Sequence, residues 1–217
     1  MGYGQFCAVA RALDALGERW SMLIVREMLM GSTTYTDIRR GIPSIPRATL
    51  AARLRQLTAS GIVEPVDGGY ELTAAGRSLV PVMTELARWA SHHDAGALGD
   101  EHLDAAALTW DMQRRVDTDR LPARPVVVEI ELTDRRGADR RHWLHLSRRD
   151  VQLCRTDTGA PIDVWLSGPT APITRWWLGE IEWSAMLRDG VSVTGSASLR
   201  RQLPTWFHRY AFAAVVA

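Results

Sequence analysis

Lysine is absent from this chain of 217 residues, and all 26 basic side chains are arginines. Every basic contact therefore comes from a guanidinium, whose planar fork suits phosphate or guanine; a codon bias toward arginine would leave the same count. Cysteine is nearly absent too. Cys7 and Cys154 cannot build a disulfide framework and are expected to be reduced. Long apolar runs are missing, since the longest candidate is the closing FAAVVA, far short of the roughly 20 residues that span a bilayer. Asp14 and Glu18 fall inside the first helical pattern with no basic stretch before an apolar block, so the start does not read as a signal peptide. MGYGQF lacks the Ser or Thr that myristoylation expects at its sixth position. A cytoplasmic location is the expectation. No G-x-S-x-G, P-loop or dinucleotide fingerprint occurs, so neither an enzyme nor a bound cofactor is expected.

What is present is the balance of a folded globular protein, with 46% hydrophobic and 24% charged residues. The net charge of +1 conceals a local excess. Residues 32–60 carry Arg39, Arg40, Arg47, Arg53 and Arg55 against the single acid Asp37, whereas residues 97–217 carry sixteen arginines and sixteen acids.

Apolar residues recur at helical spacing through CAVARALDALGERWSMLIVREMLM, residues 7–30, with Gly17 dividing the run into two helices and Gly31 and Ser32 ending the second. A short helix TYTDIRRG follows, with Tyr35 and Ile38 facing inward. Beyond the next helix, IVEPVDGGYELT reads as a hairpin turning at Asp67-Gly68-Gly69, and Thr73 caps a helix through AGRSLVPVMTELARWASHH. Past a small-residue stretch at Ala95–Gly99 the pattern changes to alternation in RPVVVEIELTD, RRHWLHLS, VQLCRT, IDVWLSG and GVSVTG, interleaved with helical pieces. The fold class is α+β in two domains, a mostly helical one over 1–96 and a sheet-containing one over 97–217.

GIPSIPRATLAARLRQLTASG, residues 41–61, predicts a helix from about Pro46 to Ala59 with proline in its first turn. Leu50, Leu54 and Leu57 share one face, which is core. The opposite face, at about 100° per residue, holds Ala48, Ala52, Arg55, Gln56 and Ala59, with Arg47, Thr49 and Arg53 on the flanks. Alanines let a helix approach a major-groove floor, where Arg55 or Gln56 reads base edges and Ala48 meets a thymine methyl. Arg47, Arg53, Arg39, Arg40 and Ser44 fall where phosphates would pass. The plain alternative is a solvated face of good helix formers. Helix, turn, helix and glycine-tipped hairpin is the order of a winged helix-turn-helix.

Cys7, Gly17 through Trp20, the Ile-Pro turn, the Leu-x-x-x-Leu-x-x-Leu helix ending at Gly61, and YELT before Gly76 make the first domain resemble the HxlR-type family of bacterial winged-helix regulators. The resemblance implies a homodimer built from the first helix and the helix after the wing, with Leu86 and Trp89 at the interface, bound to an inverted-repeat DNA operator. The wing tip departs from the family pattern in carrying no basic residue. Relatives that sense oxidants through an N-terminal thiol make Cys7 a redox candidate, against a buried structural thiol.

LTWDMQRRVDTDRLPARPVVVEIELTD and, later, WLGEIEWSAMLRDGVSVTGSASLRRQLPTW make residues 102–217 resemble the sterol-carrier-protein-type (SCP2-like) lipid-binding domain, which implies a five-stranded sheet with helices enclosing an apolar tunnel for a hydrophobic small-molecule ligand. Its candidate lining is Trp110, Met112, Trp143, Trp165, Trp176, Trp177, Trp183, Met186, Leu187, Trp206 and Phe207; plain core packing is the alternative for each. His142 and His145 are three apart in a strand, so they point to opposite faces and share no metal. His92, His93 and Asp94 read as solvated linker in place of a zinc site. The function these readings support is a ligand-responsive transcriptional regulator, most simply a repressor. A redox-sensing regulator and a lipid-binding or transfer protein are the alternatives.

Overall fold

A computed structural model of the chain describes residues 2–93, 99–210 and 212. The chain divides into two compact units, 1–86 and 87–217.

The first unit opens with α1 (Ala8–Leu16) and α2 (Ser21–Leu29). Their corner includes Trp20 at φ 81°, the one non-glycine among the described residues with positive φ, a conformation that costs about 1–2 kcal/mol. Arg19 lies 4.7 Å from the centroid of the Trp20 ring, a cation–π contact that offsets part of this cost. Next come α3 (Tyr35–Gly41) and α4 (Arg47–Ala59). Pro46 stands one position earlier than the sequence predicts. It is the N-cap of α4, with ψ at 141°, because the residue that starts a helix is itself still extended.

The hairpin pairs β1 (Val63–Val66) with β2 (Gly69–Leu72), Val66 opposite Gly69, so Asp67 and Gly68 alone make the turn. Gly69 is a paired strand residue and is glycine for a steric reason: a Cβ there would run into the carbonyl of Thr33, which accepts a hydrogen bond from the Tyr70 N–H at 2.8 Å. The capping hydroxyl of Thr73 accepts from the Gly76 N–H at 3.2 Å. The single helix expected after it is two, α5 (Ala74–Arg77) and α6 (Val80–His93). Pro81 explains the break, since it has no N–H to continue the ladder and is tolerated only in a first turn.

In the second unit a five-stranded mixed sheet has the order β5-β4-β3-β6-β7, formed by β3 (Val126–Leu132), β4 (Arg141–Leu146), β5 (Val151–Cys154), β6 (Val164–Gly168) and β7 (Ser192–Gly195). Only β3 and β6 run parallel. One face carries Val126, Val128, Ile130, Leu132, Leu144, Leu146, Val164 and Leu166 into a core completed by α7 (Ala105–Arg114), α8 (Thr170–Leu178), α9 (Trp183–Arg188) and α10 (Ala197–Gln202). Helix α7 lies outside the helical segments that the spacing of apolar residues predicts. Its signal was Asp104, whose carboxylate accepts the N–H groups of Ala106 and Ala107 as an N-cap.

Candidate nucleic-acid interface

Leu50, Leu54 and Leu57 of α4 are all buried, each contributing on the order of 1.5–3 kcal/mol by leaving water. The same helical period then exposes Arg47, Ala48, Arg55, Gln56 and Ala59, with Ala51 and Ala52 half-buried. The turn before α4 is anchored by Ile42 and Ile45, 3% and 2% exposed, so Ser44 is left at the surface between two prolines. Tyr35 does not bury fully. It is half-buried, and its hydroxyl donates to the Arg47 carbonyl at 2.8 Å, joining the start of α3 to the start of α4.

The far end of α3 is held from beneath. Glu27 is buried, and Arg26 Nη2 bonds both its Oε1 at 2.7 Å and the Gly41 carbonyl at 3.1 Å. A Cβ on residue 41 would fall inside the Glu27 carboxylate. Glycine is thus required here by close approach and not by φ.

The predicted arginines separate into two groups. Arg47 and Arg55 are exposed on or beside the alanine stripe. Arg40 is exposed on α3 and 3.4 Å from Asp37, while Arg39 is half-buried. Arg53 is drawn the other way: its guanidinium meets Glu18 at 2.7 Å, the Arg19 carbonyl at 3.1 Å and Gln56 Oε1 at 2.5 Å. Arg53 thus braces α4 against the α1–α2 corner, and the Gln56 carbonyl oxygen is engaged with it. The half-buried Thr49 sits on the flank. On the hairpin, Glu64 and Glu71 face each other in register and both are exposed, with Asp67 at the tip. The exposed side chains of the hairpin that carry charge are therefore all acidic, and the arginines named above lie on α3 and α4.

A family model described as HxlR-like helix-turn-helix matches residues 15–96. The HTH-type transcriptional regulator YvaP of Bacillus subtilis is 34% identical over 88 residues, covering 37% of this chain and 82% of YvaP. The chain belongs to the HxlR-like helix-turn-helix family of transcriptional regulators. An HTH-type transcriptional regulator of Mycobacterium tuberculosis is 37% identical over 103 residues, 44% of the HxlR-like chain and 59% of its relative. Among solved structures, quinone-bound YodB from B. subtilis is 34% identical, covering 39% of this chain and 96% of YodB, with a TM-score of 0.37.

The remaining candidates of this HxlR-like protein are scattered over several surroundings. Cys7 is exposed at the N-cap position of α1, where the backbone N–H groups of Ala10 and Val9 lower the pKa of its thiol. Trp176, Trp177, Trp206 and Phe207 are buried together on the helical side of the sheet, with Trp183 edge-on to Trp176 at 4.8 Å between centroids. Phe207 meets Trp177 at 5.8 Å, and the Trp177 indole N–H donates to Asp111 at 2.7 Å. Met112 and Met186 are in the same core, Trp110 is half-buried and Leu187 is 38% exposed. Trp143 and Trp165 do not join them. Both occupy the other face of the sheet, flanking Glu129 in register, because odd-numbered positions in β4 and β6 point away from the helices. His142, on the helical face, is buried with Nε2 3.1 Å from the Asp139 carbonyl and Nδ1 3.4 Å from Thr109 Oγ1, and burial lowers its pKa from 6.5. His92 and His93 each engage a backbone carbonyl of α6, while Asp94 lies outside the described residues. Among the described residues no helix is long and apolar enough to cross a membrane.

Proposed function

We propose that this HTH-type regulator binds an inverted-repeat operator as a homodimer, with residues 1–96 as the DNA-binding and dimerisation domain and residues 97–217 as a ligand-binding domain of sterol-carrier type. The observation that carries the reading is the exposed stripe of Ala48, Arg55 and Ala59 beside Arg47, which lets α4 enter a major groove with guanidiniums forward. Arg55 and Gln56 read bases, Ala48 and Ala52 allow close approach, and Arg39, Arg40, Ser44, Arg47 and Thr49 meet the backbone. Replacing Arg47 and Arg55 by Ala together should weaken binding to a promoter fragment and flatten the salt slope of log K by about 2. An unchanged slope would refute the role of α4.

The support for a dimer is uncovered apolar surface. α1 buries only Ala10 and exposes Val9 and Leu13, and α6 exposes Val80, Val82, Leu86 and Trp89. A nine-residue helix with an apolar side in water is marginal alone. Leu13→Glu with Leu86→Glu should convert dimer to monomer in light scattering and abolish operator binding.

Ligand occupancy in the second domain shifts the spacing of the paired α4 helices and so releases the operator, as a repressor requires; a preference of about 1–3 kcal/mol for one dimer geometry suffices. The buried indole N–H of Trp206, which has no hydrogen-bond partner, supports an apolar ligand bearing one acceptor oxygen. Titration of fatty acids and polycyclic ketones against operator binding tests this, and indifference to all of them counts against it. A second reading rests on Cys7, exposed with a lowered pKa: oxidation of this thiol releases DNA. Release by quinone that survives Cys7→Ser would exclude it.

A further inference from the structure

The β3–β4 hairpin end of the sheet holds an open cavity of about 460 Å³ lined by Gly137, Arg140, Arg141, Trp143 and Arg155. Three guanidiniums and an indole form its wall, and no acid does. The acids that balance them are bonded to the wall groups themselves. Arg140 and Arg141 both direct Nε and Nη2 at one oxygen of Glu131, at 3.0–3.4 Å, while the other oxygen of Glu131 accepts from Ser167 at 2.9 Å. Arg155 is paired to Asp139, and the Trp143 indole N–H donates to the buried Glu129 at 3.2 Å. Each acid thus fixes the orientation of a wall group.

Two consequences follow from this wiring. A guanidinium has five N–H donors, so Arg140 and Arg141 keep their Nη1 groups for a further acceptor. Against the three arginines stand Glu129, Glu131 and Asp139, so the cluster offers donors at contact range without a long-range positive field. A polyanion such as duplex DNA gains little from such a neutral cluster, because counterion release depends on net positive charge. A single carboxylate gains directional, charge-assisted hydrogen bonds, and an aromatic ring beside it meets the part of Trp143 that reaches the cavity, the residue being 7% exposed.

We infer that this cavity is a binding site for a small aromatic monocarboxylate, distinct from the buried aromatic cluster on the helical face of the sheet. Its carboxylate bridges the arginines and its ring lies against Trp143. The size fits, since ligand pockets run from about 300 to 1,000 Å³.

The test uses the 217-residue chain without DNA and 2-naphthoate as the probe, followed by calorimetry and by the Trp143 indole N–H resonance in protein labelled with ¹⁵N-tryptophan. Saturable binding that shifts this resonance is expected, with no binding of uncharged 2-naphthylmethanol. Arg140→Gln combined with Arg141→Gln should weaken 2-naphthoate by at least about tenfold. Arg155→Gln, at a surface pair whose loss leaves the core untouched, should weaken it as well and keeps the test open if the double variant fails to fold. No heat and no shift at millimolar 2-naphthoate overturns the inference. So does equal binding of the alcohol, or unchanged affinity in Arg155→Gln. Because no DNA is present, each outcome is separate from success or failure of operator binding.

Discussion

The Arg53 guanidinium lies 2.7 Å from the Glu18 carboxylate and 3.1 Å from the Arg19 carbonyl, tying the exposed helix α4 to the corner between α1 and α2. A basic residue in the middle of the helix proposed to enter the groove is therefore a brace. Arg53→Ala should lower stability by about 1–2 kcal/mol, read as a shift in the urea midpoint at constant m. Its operator affinity should fall less than that of Arg55→Ala. The reverse ranking would mean that Arg53 leaves Glu18 to contact phosphate in the complex.

The wing offers a gain-of-function test. Glu64 and Glu71 are cross-strand neighbours, and like charges placed so are unfavourable. Glu71→Lys should stabilise the hairpin by about 0.2–1 kcal/mol, and it should also tighten binding to any duplex, with a steeper salt slope. Unchanged DNA affinity would place the wing away from the backbone.

Gly41 carries a steric prediction. Its missing Cβ is the space filled by the Glu27 carboxylate, and Glu27 is fully buried, so the side chain has nowhere to swing. Gly41→Ala should destabilise the first unit by about 1–3 kcal/mol through overpacking. A companion change, Glu27→Gln, should not rescue it, because the amide occupies the same volume. Thermal melts of the two single variants and the pair decide the matter.

His142 makes stability fall with acid. Burial lowers its pKa from 6.5 in the folded state, so the unfolded chain binds the proton more tightly. Stability attached to the neutral ring is complete above about pH 6.5 and is lost as pH falls below that value toward the folded pKa. The wild-type melting temperature should drop over this interval, and His142→Gln should flatten that part of the profile. A variant with the same acid slope would assign the loss to other groups.

The placement of particular residues shows what could be read in advance. Leu50, Leu54 and Leu57 declare the buried side of α4 by spacing alone, and Gly17, Thr73 and Asp67-Gly68 punctuate the first unit through turn and cap chemistry that acts over three or four residues. The alternation in VVVEIEL and RHWLHL likewise assigns each strand residue to a face. Such features are local: they depend on helical and strand periods and on backbone preferences, which a linear string carries in full.

Partners distant in sequence are another matter. That Arg53 turns to Glu18, 35 residues away, that Gly41 yields its Cβ space to Glu27, and that the Trp177 indole reaches Asp111, 66 residues away, all depended on how elements pack. The amino-acid sequence by itself determined which side of each element avoids water. Only the tertiary structure decided which charged and aromatic groups meet, because hydrogen bonds and ion pairs act over a few ångströms and those distances exist only once the chain has folded.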